Sequence, residues 1–411
     1  MAFPGGGCRS LVTTVTQTIR RQRGPVTLVA FLVVATAVYW VSAHAFDAGR
    51  PDLFYLGDAF LHGRLWLERA LGPYDVVIVG DRVYVPFAPF PAIALMPLVA
   101  VLGPDVVTAW QPLVNAVLAA AGLGLCWWML ARIGVGSIGD RLWLTVLWGF
   151  STAIWFTTTR GGVWHTGHLV ASILTFAGLV ELFGRRRPLL MGLLAGAAFL
   201  TRPPVLAALP LWAWAAFPEG WRERLGLVVR PIAGVALGFA PAALLGLWYN
   251  WARFGSPLES GYYLAALPAF LEAQRAIGLF SLAHLPMNLD LFLVRLPRLQ
   301  PEFPFFRPDG LGMSVLVTSP GLLYALRAPF RDPRAVALGI TFVLVLLPNL
   351  LYYGGGWLQM GYRYALDAIP FAMALAGMAA ARHGLPWWAK GLIAFGVAVG
   401  IGSVYWAYNL K

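Results

Sequence analysis

Charge is what this sequence has least of. Only 12% of its 411 residues are Asp, Glu, Lys or Arg, against 59% hydrophobic residues and a mean hydropathy of +0.70, whereas soluble domains carry about twice that charge. A water-facing surface cannot be built from this composition, which excludes a soluble globular protein. Lysine is nearly missing: Lys390 and Lys411 stand against 28 arginines. No polybasic Lys tract or basic amphipathic helix stands out as a partner site, and the net charge of +12 lies in short loops between apolar runs. There it orients a membrane protein rather than binding nucleic acid. The two cysteines, Cys8 before the first apolar run and Cys126 inside a later one, fall in different compartments, which excludes a disulfide framework. There is no P-loop, GxSxG, HExxH or CxxC segment, so no motif supports an ATPase, serine hydrolase, zincin or thiol-redox enzyme.

What is present is apolar length. The uncharged runs 26–46, 106–131, 231–252, 335–362 and 391–410 each reach the roughly 20 residues a helix needs to cross a bilayer core of about 30 Å. Arg20, Arg21 and Arg23 precede the first run as in a signal peptide, but the run is too long and lacks a small-x-small cleavage site. It reads as an uncleaved first helix behind a cytoplasmic tail, 1–25. Further spans are predicted at 106–131, 142–159, 162–183, 188–201, 203–218, 231–252, 310–326, 335–353, 364–381 and 391–410. The Pro-rich FAPFPAIALMPLVAVLG is predicted as a short or re-entrant helix, and 188–218 as a hairpin of short helices with TRPP at its tip. This assignment leaves only Asp140, Glu219, Glu223 and Asp332 as acids in the cytoplasmic segments among many arginines, a positive-inside bias. The predicted fold is an all-α polytopic membrane protein of about 11–12 transmembrane helices, multi-pass in the cell (plasma) membrane, with a cytoplasmic N-terminus and a single domain over 1–411.

Three outward loops follow: 47–87, 253–309 and 354–363. The first holds Asp47, Asp52, Asp58, Glu68, Asp75 and Asp81, six of the 18 acidic residues. Within it, 52–71 has apolar residues at helical spacing (Leu53, Leu56, Phe60, Leu61, Leu65) and is predicted to be a surface helix. VVIVGDRVYV reads as a β-hairpin about Gly80-Asp81.

Carboxylates, arginines and aromatics gathered on one side of a membrane suit sugar transfer from a phosphate. That reaction needs a carboxylate to deprotonate the acceptor and cations to hold the leaving phosphate. Asp47, at the outer end of the first span, is the leading general-base candidate, with helix capping as its structural alternative. Asp58 lies on the surface helix and Asp52 at its start, where it can serve as an N-cap. Arg202 interrupts an apolar stretch, which is costly unless it meets an anion or snorkels. Arg363 is placed similarly, and Asp367 four residues on is a rival partner on the same helix face. Arg160 opens RGGVWHTGH, whose glycines permit close approach of a substrate. His165 and His168, spaced i, i+3, lack a third metal ligand and read better as hydrogen-bonded groups. Trp164, Trp357 and Tyr362 offer aromatic faces to a sugar or lipid.

YLGDAFLHGRL, YVPFAPFPAIALMPLVAVLG, FLTRPP, YNWARFGSPLESGY and GYRYALDAIPF, in order across 47–370, resemble segments of bacterial polytopic proteins grouped with the C-type glycosyltransferases. That family includes protein O-mannosyltransferases and the aminoarabinose transferases of lipid A. The resemblance implies an inverting transfer from a polyprenyl-phosphate-linked sugar to a glycan, lipid or protein acceptor, with an acidic residue of the first outer loop as base and, in some members, a divalent cation. FDAG offers Asp47 without the neighbouring Glu frequent in the family, and PDLFY offers Asp52 as a competing match. The aminoarabinose transferases carry a phosphate-binding Lys before the second helix. YVPFAP lacks it, which leaves that role to Arg82, Arg202 or Arg363, with Arg160, His165, His168, Tyr262, Trp357 and Tyr362 completing the expected substrate-binding set. A lipid-linked-sugar flippase or transporter, or a polysaccharide polymerase or ligase, is the alternative. The gathering of charge at span ends and outer loops rather than at mid-membrane favours transfer over transport.

Overall fold

The chain is described here by a computed structural model that covers residues 7–43, 50–218, 222, 225–357 and 359–409. Among the described residues, six helices are long and apolar enough to cross a membrane: Gly24–Ala43, Gln111–Ile133, Val163–Leu182, Gly226–Phe254, Pro333–Leu351 and Trp387–Trp406. The first is the apolar part of a continuous helix, Gly7–Ala43. Shorter apolar helices lie at Phe90–Leu102, Pro188–Phe199, Pro203–Ala215 and Leu282–Val294.

The predicted span list is corrected where breakers intervene. The stretch 142–159 is two helices, Ile138–Phe150 and Ile154–Arg160, split at Ser151, whose backbone leaves helical geometry. The stretch 310–326 holds only the turn Val315–Thr318 and a 3-10 helix, Pro320–Arg327. The stretch 364–381 begins as a 3-10 turn, Arg363–Asp367, before the α-helix Ile369–His383. As predicted, 188–218 is a bent pair, in which Pro188–Phe199 ends before Arg202 and the chain resumes as 3-10 Pro203–Ala208 and α-helix Leu209–Ala215.

The interior is formed by Gln111–Ile133, Val163–Leu182 and Ile369–His383. Every residue from Ile369 to Ala380 is buried, and most are Ala, Gly or Met, so the backbones approach closely without a large side chain between them. The helix Val229–Phe254 is peripheral, and Leu237, Leu244 and Trp248 on it are largely exposed. It meets Pro188–Phe199 through a glycine seam. A Cβ added at Gly192 would collide with the carbonyl of Val235, and one at Gly238 with the carbonyl of Leu189. Since backbone cannot yield as a side-chain tip can, Gly238→Ala is expected to cost about 1–3 kcal/mol and to lower the unfolding temperature in detergent. Gly124→Ala, which meets only a side-chain carbon at 3.7 Å, should leave it unchanged or raise it.

The segment predicted as the first outer loop is more compact than its sequence predicts. Its helix is Asp52–Leu61, ten residues, and ends at His62 and Gly63, the latter at φ 70°. It does not lie free on a surface: Leu53, Phe54, Leu56 and Ala59 are buried, and Gly57 brings it against the Phe90–Leu102 helix, where an added Cβ would be 3.2 Å from the Ala92 carbonyl. That Pro-rich helix has 13 residues, about 20 Å of rise, too short to cross a bilayer core of about 30 Å straight. The hairpin forms as predicted, Val77–Val79 against Arg82–Tyr84 with Val79 opposite Arg82 and Gly80 at φ 62°, a positive φ at the first residue of a two-residue turn.

Candidate functional site

Three chain breaks meet around a cavity of about 480 Å³: the Pro-rich entry at 86–91, the break at Thr201–Arg202, and the loop leading to Arg363. Each has a local cause. Arg202 precedes Pro203-Pro204, and a residue before proline is driven out of the helical region; its backbone is extended at φ −140°, ψ 98°. The Phe90 amide then donates to the Leu200 carbonyl at 3.0 Å, tying the first two breaks together. Tyr352 closes the Pro333–Leu351 helix in extended geometry, and the glycines 354–356 lead back to Arg363.

The walls are mostly apolar, with Phe199, Leu206, Phe239 and Leu247 among them. Leu206 and Leu247 are also substantially exposed on the outside of the fold, so the apolar lining reaches the surface beside the Val229–Phe254 helix. The lining also carries three guanidiniums: Arg202, Arg253 and Arg363. Arg202 is neutralised by Asp367, with Nε at 3.1 Å from Oδ1 and Nη2 at 2.9 Å from Oδ2. Asp367, fully enclosed, also faces His168 Nδ1 at 3.1 Å and accepts from Asn349 at 3.3 Å. Arg253 is 6% exposed. It donates to the carbonyls of Val85, Tyr249 and Ser260 and to the Asn250 side chain, with its charge over the Tyr249 ring at 3.7 Å. Arg363, 7% exposed, donates from Nη1 to the Trp357 carbonyl at 3.3 Å. Neither Arg253 nor Arg363 has a carboxylate within ion-pair distance among the described residues. Two buried polar atoms of the lining lack any hydrogen-bond partner, Arg363 Nε and Tyr249 Oη. The Tyr364 ring has both Arg202 and Arg363 at 5.3 Å, which holds two cations close together. An unpaired buried cation beside a cavity is costly unless an anion enters, so the cavity fits an anionic group beside these arginines.

At the rim stands Trp164, which lines the cavity and donates from Nε1 to Asp75 Oδ2 at 2.9 Å. Asp75 sits at φ 54°, a strained conformation for a residue with a side chain, pinned by its amide to the Ala266 carbonyl at 2.8 Å. Burial pushes its carboxyl above the usual carboxylate range, against the opposing pull of the Trp164 hydrogen bond and of Arg50 and Arg363. Arg50 holds this corner together: it pairs with both oxygens of the fully buried Asp52, donates to the Tyr74 carbonyl and lies 5.6 Å from the Trp164 ring.

Of the predicted residues, Trp164, Arg202, Tyr262 and Arg363 line the cavity. Asp52 is the first residue of its helix rather than its N-cap, and its carboxylate is taken by Arg50. Asp58 faces Arg64 and His62 at 3.8 and 3.6 Å, on the open side of the same helix. Asp47 lies outside the described residues. Arg82 is exposed on the hairpin over Trp66, 4.1 Å from its ring. Arg160 ends the Ile154–Arg160 helix. Trp357 is exposed and packs on Phe270, although its carbonyl holds Arg363. Tyr362 is buried, with its hydroxyl on the Asn349 carbonyl at 2.8 Å. His165 and His168 are buried behind the cavity. Their Nδ1 atoms face the Gly161 carbonyl at 2.6 Å and Asp367, both acceptors, so each ring carries its proton on Nδ1. The rival pairing of Arg363 with Asp367 does not form. The segment is 3-10, with about three residues per turn, so positions i and i+4 do not stack, and Asp367 turns to Arg202 instead.

Asp75, Arg50 and Arg253 carry no mark in the sequence that separates them from their neighbours, apart from Arg253 lying in the YNWARFGSPLESGY segment. Among the described residues no three His, Cys, Asp or Glu side chains converge as metal ligands. The donors around the cavity are guanidiniums, with Asp52 and Asp367 already paired, so this set does not fit the divalent cation that the resemblance allows. No protein-family model, curated protein or solved structure matches the chain.

Proposed function

We propose that this chain transfers a glycosyl group from a polyprenyl-phosphate-linked sugar to a glycan, lipid or protein acceptor at the outer face of the membrane. The observation that carries this reading is the cavity itself, mostly apolar and reaching the surface at Leu206 and Leu247, yet lined by two carboxylate-free guanidiniums and an unpartnered Nε. A lipid phosphate has that polarity, a long apolar chain ending in an anion.

In this reading the phosphate lies against Arg363 and the polyprenyl chain leaves past Leu206 and Leu247. Among the described acids Asp75 is taken as the base, because it is the one hydrogen-bonded to the cavity-lining Trp164, while Asp52 is held by Arg50 and Asp58 faces Arg64 and His62; Asp47, outside the described residues, is its competitor. The acceptor hydroxyl gives its proton to Asp75 as its oxygen bonds to the anomeric carbon. The bond from that carbon to the phosphate oxygen breaks on the opposite face, inverting the centre, and the electron pair leaves with the phosphate, where guanidinium charge stabilises it. Trp164 orients the carboxylate, and Arg202, held by Asp367, fixes Tyr364 and contributes positive potential.

The pH dependence follows from Asp75. A carboxyl raised by burial protonates at a higher pH than a free one, and only its ionised form accepts a proton. Transfer is therefore expected to fall as pH drops through the raised value, with the acid limb of kcat/KM above the ordinary Asp value of about 3.9. The check is release of polyprenyl phosphate from a panel of labelled donors, measured across pH in proteoliposomes. A rate unchanged down to the ordinary carboxylate range removes Asp75 from the role, and failure of every donor removes the reading.

A further inference from the structure

A second cavity, of about 380 Å³, lies at the other end of the molecule. Trp164 and Val163 at the start of the Val163–Leu182 helix line the first cavity, and Leu182 at its end lines the second. Twenty helical residues rise about 30 Å, the thickness of a bilayer core. The two cavities therefore sit at opposite membrane boundaries.

The second is lined by Arg186, Arg222 and Arg334, with Trp214 beside them and Asp332 as its one acid among the described residues. Asp332 caps the Pro333–Leu351 helix, accepting from the Arg334 amide at 2.8 Å, and among the described residues forms no ion pair with Arg186 or Arg334. The nearby Glu181 does not neutralise Arg186 either, because Arg187 takes both of its oxygens, from Nη2 at 2.6 Å and Nε at 3.0 Å. Arg186 is held in place by its backbone, at φ 52°, with its amide on the Glu181 carbonyl at 2.9 Å and its Nε toward the Leu182 carbonyl at 3.3 Å. Guanidiniums in a concave site at headgroup depth, next to a tryptophan, are the features by which interhelical pockets hold anionic lipid headgroups.

We propose that this cavity binds the phosphodiester headgroup of an anionic phospholipid in the leaflet opposite the first cavity. The chemistry it offers, several arginines to one phosphate, would also admit free phosphate, and the test separates the two. Delipidated full-length protein in detergent is titrated with phosphatidylglycerol, phosphatidylcholine or inorganic phosphate, and bound ligand is counted by native mass spectrometry. The Arg186→Gln, Arg334→Gln double variant is compared with Arg185→Gln, Arg331→Gln, which removes the same charge from exposed arginines that do not line the cavity.

The expected result is selective retention of phosphatidylglycerol, weakened at least tenfold in the first variant and unchanged in the second. Equal weakening in both variants would reduce the effect to general surface charge. Equal retention of phosphatidylcholine, or displacement of the lipid by millimolar inorganic phosphate, would each overturn the lipid assignment. If the double variant does not fold, Arg334→Gln alone, at an exposed position in the first turn of its helix, carries the same test. The outcome is independent of sugar transfer, since no donor or acceptor is present.

Discussion

Asp75→Asn is expected to lower kcat for glycosyl transfer by roughly 10²- to 10⁴-fold, the range for loss of a positioned general base, with little change in donor KM. The amide keeps the size of the carboxylate and can still accept from Trp164, so the variant should insert and unfold as the parent does. The neighbouring acids supply the contrast. Asp58→Asn, on the open side of its helix, should retain near-parent turnover. Asp52→Asn strips Arg50 of its buried partner and should act mainly through stability, with lost yield or a lower unfolding temperature accompanying any lost rate. Asp47→Asn completes the series. Loss of transfer in Asp47→Asn with Asp75→Asn active would move the base to the end of the first helix.

The second large effect divides two arginines that look alike in sequence. Arg363→Gln removes a guanidinium with no carboxylate partner and an idle Nε, so it should cost transfer about 10²- to 10³-fold, as when a preorganised charge-stabilising donor is lost, while leaving stability intact or improved. Arg202→Gln removes a partner of the enclosed Asp367 and leaves a carboxylate held only by His168 and Asn349. Breaking a buried pair from one side costs about 3–5 kcal/mol, so this variant should lose folded protein first. Thermal unfolding in detergent, run beside the transfer assay, separates the two. If Arg363→Gln is the destabilised variant and Arg202→Gln the inactive but stable one, the phosphate site is centred on Arg202.

The six long apolar helices were legible because span length and lack of charge are local properties, whereas the predicted total of about 11–12 spans counted stretches that the described structure breaks into shorter pieces. Also legible were the Gly80-Asp81 hairpin, the TRPP break and the two arginines that interrupt apolar sequence, since each follows from a short stretch of residues. Asp75 was not, because its distinguishing feature is the Trp164 indole 89 residues further on, and no local pattern separates it from five other acids in the same loop. Helical spacing offered Asp367 to Arg363 as the rival to a phosphate. The spacing was read correctly but the helix type was not: a 3-10 turn sends i and i+4 to different sides, and the partner came from position 202. The predicted span at 310–326 failed for a related reason. Its residues are apolar enough, but Pro320 and the glycines around it keep the chain from running as one α-helix.

The most direct test places wild-type protein in liposomes with a donor whose sugar and polyprenyl chain carry different labels, together with membrane extract as the source of acceptor. Sugar label passing to the acceptor while free polyprenyl phosphate accumulates, in a manner that requires both Asp75 and Arg363, is the predicted result. Intact donor appearing in the opposite leaflet, with the two labels still joined, would contradict sugar transfer and assign the cavity to lipid movement.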